Sequence, residues 1–307
     1  MIDLHSHTTE SDGTFLPSAL IEEALRVGVD TLGITDHDTF AGYDKAIPYA
    51  RSAGLELICG IELSTKLQGG RSVHLLGYFL GSEGPAPEFR EWILDMQAAR
   101  HDRNIRLIAR LRELGFDITL EEVRARGSGL IARPHFAQVL LEKGYVRTLQ
   151  QAFDQYLDES ATGYVYRREP LFAEGVERIR SAGGIASLAH PVRVPGNLRT
   201  LMPELCATGL NAIEVYHSDH SQAQTELYLE LAEAYGLLIT GGSDFHGAAK
   251  PGLWLGTGRD GNLRIPGDLL ERLRVSQTSG RVSETSATAA TGFLFAVKKE
   301  DNLGASD

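Results

Sequence analysis

Ten histidines are spread over the 307 residues, and six of them stand beside Gly, Ser, Thr or Asp at the ends of short apolar runs. His5 and His7 lie two apart in the run Ile2–Thr8, so in an extended chain both rings leave the same face. Asp12 follows in Ser11-Asp12-Gly13, and His37 closes Thr35-Asp36-His37-Asp38. Glu62 sits in Gly60-Ile61-Glu62-Leu63-Ser64, His74 in Ser72-Val73-His74, and His190 in Ala189-His190-Pro191. Asp244 and His246 are again two apart, in Ser243-Asp244-Phe245-His246. Any one of these alone is most simply a hydrogen-bonded surface or core residue. Brought together, six imidazoles and three carboxylates would repel or be poorly solvated, unless divalent ions accepted their lone pairs. No thiolate accompanies them, which argues against a closed structural zinc site. Mixed imidazole and carboxylate donors suit manganese, zinc or iron(II), and ligand type alone does not separate these. So many donors exceed one ion and serve two or three, roughly 3.5–4 Å apart. A hydroxide bridging such ions attacks phosphorus at neutral pH while the ions neutralise the phosphoryl oxygens.

The elements that must position these groups are legible in the apolar periodicity. Strands are expected over Ile2–Thr8, Thr31–His37, Leu55–Leu63, Val73–Leu80, Gly184–His190, Ala212–His217 and Leu237–Gly241. Helical patterns separate most of them, such as Pro17–Val27, with proline at its start and Gly28 just past its end, and Gln222–Tyr235 before Gly236. This alternation predicts an α/β fold with a parallel sheet and right-handed crossovers, closing as a barrel. In such a barrel the strands' C-terminal ends share one mouth, where the nine groups would converge. Gly69-Gly70 is too short for a phosphate loop and is read as a turn between two strands. Between about 85 and 183 the alternation stops, and a long helix over Glu88–Leu114 is followed by shorter ones at Leu120–Ala125, Arg133–Glu142 and Thr148–Leu157.

The ordered set of motifs resembles the PHP (polymerase and histidinol phosphatase) family over about residues 1–250. It is most similar to the branch of 3′,5′-nucleoside bisphosphate phosphatases and a 5′→3′ exoribonuclease that trims short RNA. The resemblance implies a distorted seven-stranded (β/α) barrel of PHP type with up to three metal ions, manganese favoured and zinc or iron as alternatives. His5, His7, Glu62 and Asp244 would hold the first ion, and Glu62 would bridge to a second completed by His74 and His190. Asp12, His37 and His246 would hold the third, and the attacking hydroxide would be the one held at Glu62. The expected organisation is a discontinuous barrel, 1–98 and 168–280, and a helical insertion or lid over 99–167, while composition alone marks 281–307 as a small, polar, poorly ordered tail. The expected reaction is removal of the 3′-phosphate from a nucleoside 3′,5′-bisphosphate. Trimming of short 5′-phosphorylated RNA and histidinol-phosphate hydrolysis are the alternatives within the class. A non-catalytic metal-binding module is the alternative outside it, opposed by the retention of all nine ligand positions.

Groups beyond the ligand set complete the expectation. Arg133 and His135, in Ala132-Arg133-Pro134-His135-Phe136, precede or open a helix and are candidates for gripping a non-scissile phosphate. Arg193, just after His190-Pro191, is another candidate phosphate contact. His217 and His220 end the sixth strand, and either could protonate the leaving oxygen or serve only to orient neighbours. Asp3, Asp36 and Asp38 are placed to orient ligand histidines. Residues 100–147 carry ten Arg or Lys against six Asp or Glu, consistent with a phosphate-attracting lid or with a solvated helical face. The whole chain is acidic, with formal charge −11, which disfavours duplex nucleic acid as a partner and leaves a small phosphorylated molecule or short RNA end. Apolar residues make up 42%, enough for a substantial core, with no run long enough for a membrane span. Two cysteines and an N-terminus lacking a basic-then-apolar leader point to a reducing cytoplasm. Oligomeric state is not encoded in these features.

Overall fold

The computed structural model describes residues 1–81, 84–127 and 129–278. The tail assigned to 281–307 lies outside the described residues. Regular pairing begins with β1 (Ile2–Asp3), followed by α1 (Pro17–Val27), β2 (Thr31–Ile34), α2 (Ala41–Ala53), β3 (Glu56–Lys66) and β4 (Ser72–Phe79). Helices α3 (Pro87–Glu113), α4 (Leu120–Arg124), α5 (Arg133–Glu142), α6 (Leu149–Ala152) and α7 (Phe172–Ser181) then intervene. The chain returns through β5 (Ile185–Leu188), α8 (Leu198–Ala207), β6 (Ala212–His217), α9 (Gln222–Tyr235) and β7 (Leu238–Gly242). A small hairpin of β8 (Leu253–Trp254) and β9 (Gly258–Arg259) and helix α10 (Leu269–Thr278) complete the described chain. Helix α1 shows the local logic. Pro17 opens it where a missing N–H costs nothing, Leu20, Ile21 and Ala24 are buried, and Gly28 closes it at φ 79°.

The seven strands form one sheet in sequence order, β1 to β7. Its two edges meet, because the Leu4 N–H donates to the Gly241 carbonyl at 3.2 Å and the His7 N–H to Phe245 at 2.9 Å. Gly242 is required at this seam, since a Cβ there would lie 2.3 Å from the His5 backbone nitrogen. The result is a nearly closed α/β barrel.

The sheet is not wholly parallel, contrary to the expectation from alternation. Strand β4 runs antiparallel to both β3 and β5, while the remaining pairs are parallel. The physical reason is connection length. Only residues 67–71 join β3 to β4, through Gly69 and Gly70 at φ 92° and 88°, and a parallel crossover needs about a dozen residues. Reversal of β4 brings its first residues, including His74, to the mouth formed by the C-terminal ends of the others. Leu76 and Tyr78 share His74's strand parity and join Ile58 and Ile185 in a buried apolar cluster beneath that mouth.

Helix α3 belongs to two cores. Phe89, Ile93 and Met96 pack with barrel residues such as Phe79 and Val176. Leu107, Ile108 and Leu111 instead join Val123, Phe136, Leu140 and Leu157 in a cluster of the helical segment. One departure from the expected helices is at Phe153–Leu157, which forms a π-helical turn after α6 rather than a continuous α-helix. Among the described residues, no helix is long and apolar enough to cross a membrane.

Candidate metal centre

Most of the nine groups sit just beyond the regular strands. Pairing of β1 ends at Asp3 and that of β7 at Gly242, and isolated bridges Ser6–Phe245 and His37–Glu62 carry the chain onward. Asp38, His190 and Asp244 occupy positive φ, at 51°, 25° and 58°. Such conformations cost about 1–3 kcal/mol each for non-glycine residues and persist where surrounding contacts dictate them.

Glu62 is the centre of the arrangement. Its Oε1 lies 2.8 Å from His74 Nδ1 and 2.7 Å from His190 Nε2. Its Oε2 lies 3.2 Å from His5 Nε2, 3.1 Å from His7 Nε2 and 3.5 Å from His37 Nδ1. Asp244 Oδ1 stands 3.4 Å from His5 Nε2 and 3.3 Å from His7 Nε2. Asp12 faces His246 Nε2 at 3.3 Å and His37 Nε2 at 3.8 Å. Donor atoms of His5, His7, Glu62 and Asp244 all fall within 4.8 Å of one another, as do those of His7, Asp12, His37 and His246, and of His37, Glu62 and His74. All nine groups expected from the sequence are therefore brought together.

The donor set fits divalent ions. His7 Nε2 and His37 Nδ1 are buried without a hydrogen-bond partner, although carboxylate oxygens lie 3.1–3.5 Å away. A ring nitrogen buried among carboxylates without a hydrogen-bond partner is one that a bound cation would satisfy. Charge distribution agrees. Burial works against the ionised forms of Glu62 and Asp244, yet the groups around them hold both carboxyls well below the usual range: the imidazoles of His37, His74 and His5 for Glu62, and Lys250 with the imidazoles of His246 and His5 for Asp244. Burial pushes His190 down to about 3 and His37 to about 4, so those rings offer lone pairs.

Other expected residues divide. Asp3 accepts from the backbone N–H groups of His5, Ser243 and Gly256, stitching the barrel seam and touching no imidazole. Asp36 accepts from Thr8 and Ser11 and so fixes the turn that carries Asp12, not His37. Asp38 accepts from the Ser64 N–H at 2.8 Å and pairs with Arg100. His135 is placed otherwise than expected. It is buried, and its Nδ1 accepts the Ala132 N–H at 3.0 Å, capping its own helix. Arg193 pairs with Asp219 and lies 2.9 Å from Asp244 Oδ2.

Neither candidate general acid lines the cavity over the centre. His220 donates from Nδ1 to the Val215 carbonyl at 2.8 Å and packs on Tyr228, and burial lowers its pKa to about 4. His217 accepts the Asp219 N–H at Nδ1, 3.0 Å, which leaves its proton on Nε2, 3.5 Å from Asp244 Oδ2 and wholly buried.

The cavity of about 350 Å³ is lined by Asp12, His37, Glu62, His74, Asp244 and His246 together with the cations Arg100, Arg133, Arg193 and Lys250. A narrow recess of about 50 Å³ continues past His74 and Ser64, where Arg100, Arg103, Arg133 and Arg167 meet. Arg100 pairs with Asp38, and Arg167 with Glu169 at 2.8 Å, but among the described residues Arg103 forms no ion pair. Part of the basic run thus faces the cavity, while Arg106 and Arg110 bond exposed surface carbonyls.

Sequence reasoning missed Glu214, Lys250, Arg100, Arg103 and Arg167. A carboxylate inside the apolar strand Ala212-Ile213-Glu214-Val215 was a usable signal for Glu214. For Arg100 and Arg103 the only signal was the basic run over 100–147, and Arg167 carried none, because their convergence depends on how α3 and the segment before α7 fold onto β3.

A family model described as PHP domain matches residues 3–165. The chain is 32% identical to a 5′-3′ exoribonuclease of Haemophilus influenzae, over 85% of this chain and 94% of that one. It is 33% identical to a phosphoribosyl 1,2-cyclic phosphate 1,2-diphosphodiesterase of Eggerthella lenta, over 80% and 94%. It is 31% identical to a 3′,5′-nucleoside bisphosphate phosphatase of Chromobacterium violaceum, over 84% and 92%. A Bifidobacterium adolescentis structure described as a metal-dependent phosphoesterase superposes with TM-score 0.75 at 31% identity, covering 89% of this chain and 95% of that one.

Proposed function

This chain belongs to the PHP family and is a metal-dependent phosphoesterase, and from that premise we propose that it removes the 3′-phosphate of nucleoside 3′,5′-bisphosphates. The observation that carries the reading is the arginine recess beside the nine-group centre. Around it, Arg100, Arg103, Arg133, Arg167 and Lys66 face Asp38, Glu159 and Glu169, so positive charge exceeds negative by two. The recess has room for roughly three or four waters, or one phosphoryl group. A substrate with two phosphates would anchor one there and present the other to the centre, converting recess binding into orientation at the reacting phosphorus.

His5, His7, Glu62 and Asp244, then Glu62, His74 and His190, then Asp12, His37 and His246, would hold the ions, with manganese preferred. When bound, divalent ions lower the pKa of water and neutralise phosphoryl oxygens in an in-line displacement. Lys250 and Arg193, which line the cavity beside Asp244, would contact the transferred phosphoryl oxygens. His217 would hold Asp244 in place through Nε2–H, and the narrowness of the recess would exclude an internal phosphodiester while admitting a terminal phosphate.

Short RNA with a 5′-phosphate is the second reading, favoured because the same recess would take that terminal phosphate and a relative is named an exoribonuclease. Phosphate and nucleotide release from adenosine 3′,5′-bisphosphate, adenosine 3′-monophosphate, short 5′-phosphorylated RNA, a 1,2-cyclic phosphoribosyl compound and histidinol phosphate tests both. Fast turnover of the bisphosphate over the 3′-monophosphate supports the proposal. Preference for RNA moves the enzyme to the second reading, and preference for either of the last two compounds sinks both.

A further inference from the structure

Glu214 is fully buried on β6, contributes nothing to the cavity wall, and makes two short contacts with the metal centre. Its Oε1 lies 2.8 Å from His5 Nδ1, and its Oε2 accepts the His190 backbone N–H at 2.6 Å. A break in the β6–β7 register between Glu214 and Tyr216 lets Glu214 and His217, three residues apart, both face the barrel interior; a regular strand would put them on opposite faces. We infer that Glu214 is the positioning residue of the centre, fixing the proton of His5 on Nδ1 and holding His190 in its left-handed backbone, so that both rings aim at the side of Glu62.

Each half follows from donor and acceptor arithmetic. His5 has one nitrogen toward Glu214 and the other, Nε2, toward Glu62 and Asp244 at 3.2 and 3.4 Å. A neutral imidazole donates from one nitrogen and offers a lone pair from the other. A carboxylate at Nδ1 therefore leaves the lone pair of Nε2 for a metal ion, the carboxylate–histidine–metal arrangement. His190 sits at φ 25°, which its side chain alone would not favour, and the bond from its N–H to Glu214 fixes it there. One carboxylate thus ties a group assigned to the first ion to a group assigned to the second. An alternative use of the same atoms, Glu214 as a direct ligand with His5 and His217, is geometrically open, since their donor atoms also lie within 4.8 Å of one another.

Glu214→Gln separates the two. The His190 N–H can only donate, so the amide oxygen must face it and the amide NH₂ must face His5 Nδ1. His5 Nδ1 then has to accept, its proton moves to Nε2, and the lone pair is turned away from the ion. The assignment rests on the metal reading of the nine groups but on no substrate. In the zinc-loaded protein, ¹⁵N–¹H correlation of the imidazoles should show His5 protonated at Nδ1 and metal-bound at Nε2. Competition against a chromophoric chelator should give a zinc affinity at one site weaker by about 10–100-fold in Glu214→Gln. Glu214→Asp, which keeps the charge but is too short to span both partners, should recover part of it. His5 protonated at Nε2 in the wild type, which needs no variant to measure, would overturn the inference. So would an unchanged affinity in Glu214→Gln, or the loss of one whole zinc with the His5 proton unmoved, the signature of a direct ligand. Wild-type protein that takes up neither zinc nor manganese would refute the metal centre and this assignment with it.

Discussion

Arg103 offers the sharpest test of the recess, because fold and function should respond to its removal in opposite directions. Its guanidinium is buried, its Nε has no hydrogen-bond partner, and it stands among Arg100, Arg133 and Arg167. Burial, then repulsion from those three arginines, lowers its pKa to about 8, a measure of how costly the charge is when no anion is present. Replacing even a buried ion pair by well-packed apolar residues of similar volume is often neutral or stabilising by about 1–4 kcal/mol, and Arg103 has only the more distant Glu169 to offset its burial. Arg103→Met should therefore hold or raise the melting temperature of the substrate-free protein, by about 2–4 °C per kcal/mol. A charge-assisted hydrogen bond to the second phosphate is worth about 1.5–3 kcal/mol, or roughly 10–150-fold at about 1.4 kcal/mol per decade. The ratio of kcat/KM for adenosine 3′,5′-bisphosphate to that for adenosine 3′-monophosphate should fall by that factor. The assays are a melting curve and steady-state phosphate release on both compounds. A melting temperature several degrees lower with equal losses on the two substrates would refute the reasoning and make Arg103 a structural residue.

Further outcomes follow from the same geometry. Lys250→Ala, which removes a cavity-wall cation 2.5 Å from Asp244, should lower kcat by about 10–100-fold on mono- and bisphosphate alike, unlike Arg103→Met, and steady-state rates on the two compounds check it. His220→Asn should change kcat by less than about threefold while lowering the melting temperature, since its ring serves the Val215 carbonyl and Tyr228 rather than the cavity. Chelation should destabilise the protein by about 2.7 kcal/mol if the ions are present at about 100 times their dissociation constant, seen as a reversible fall in melting temperature restored by manganese. Asp219 sets a pH window. Burial would raise its pKa, but hydrogen bonds and charge from Arg193, with Arg259, hold it at about 2 instead of 3.8. A depressed carboxyl pKa stabilises the fold fully above the unfolded value, and that contribution is lost as pH falls from about 4 to about 2. Asp219→Asn should flatten that part of the melting-temperature profile.

The nature of the centre was legible in the sequence because its information is local. His5 and His7 carry their geometry in a spacing of two, which extended backbone turns into a shared face, whereas Asp244 and His246 have the same spacing but depend on the left-handed backbone at Asp244. The apolar periodicity likewise set the seven strands and the helices between them, and Gly69-Gly70 marked the hairpin that reverses β4. What the tertiary structure alone decided is which distant groups meet. Arg133 is a candidate by its place at a helix start, Arg100 and Arg103 lie in a basic run that reads as lid or solvated face alike, and Arg167 carries no motif. Only packing of α3 against the barrel brings the four into one recess. Glu214 and His217 have opposite strand parity, and a one-residue irregularity in β6 puts both inside. His135 and His220 look like cavity groups by position, yet each spends its Nδ1 on a nearby backbone group, Ala132 or Val215. Spacing along the chain fixes the direction of a side chain relative to its neighbours. Whether that direction ends at an ion, a phosphate or a backbone group depends on contacts between segments tens to hundreds of residues apart, which no local pattern records.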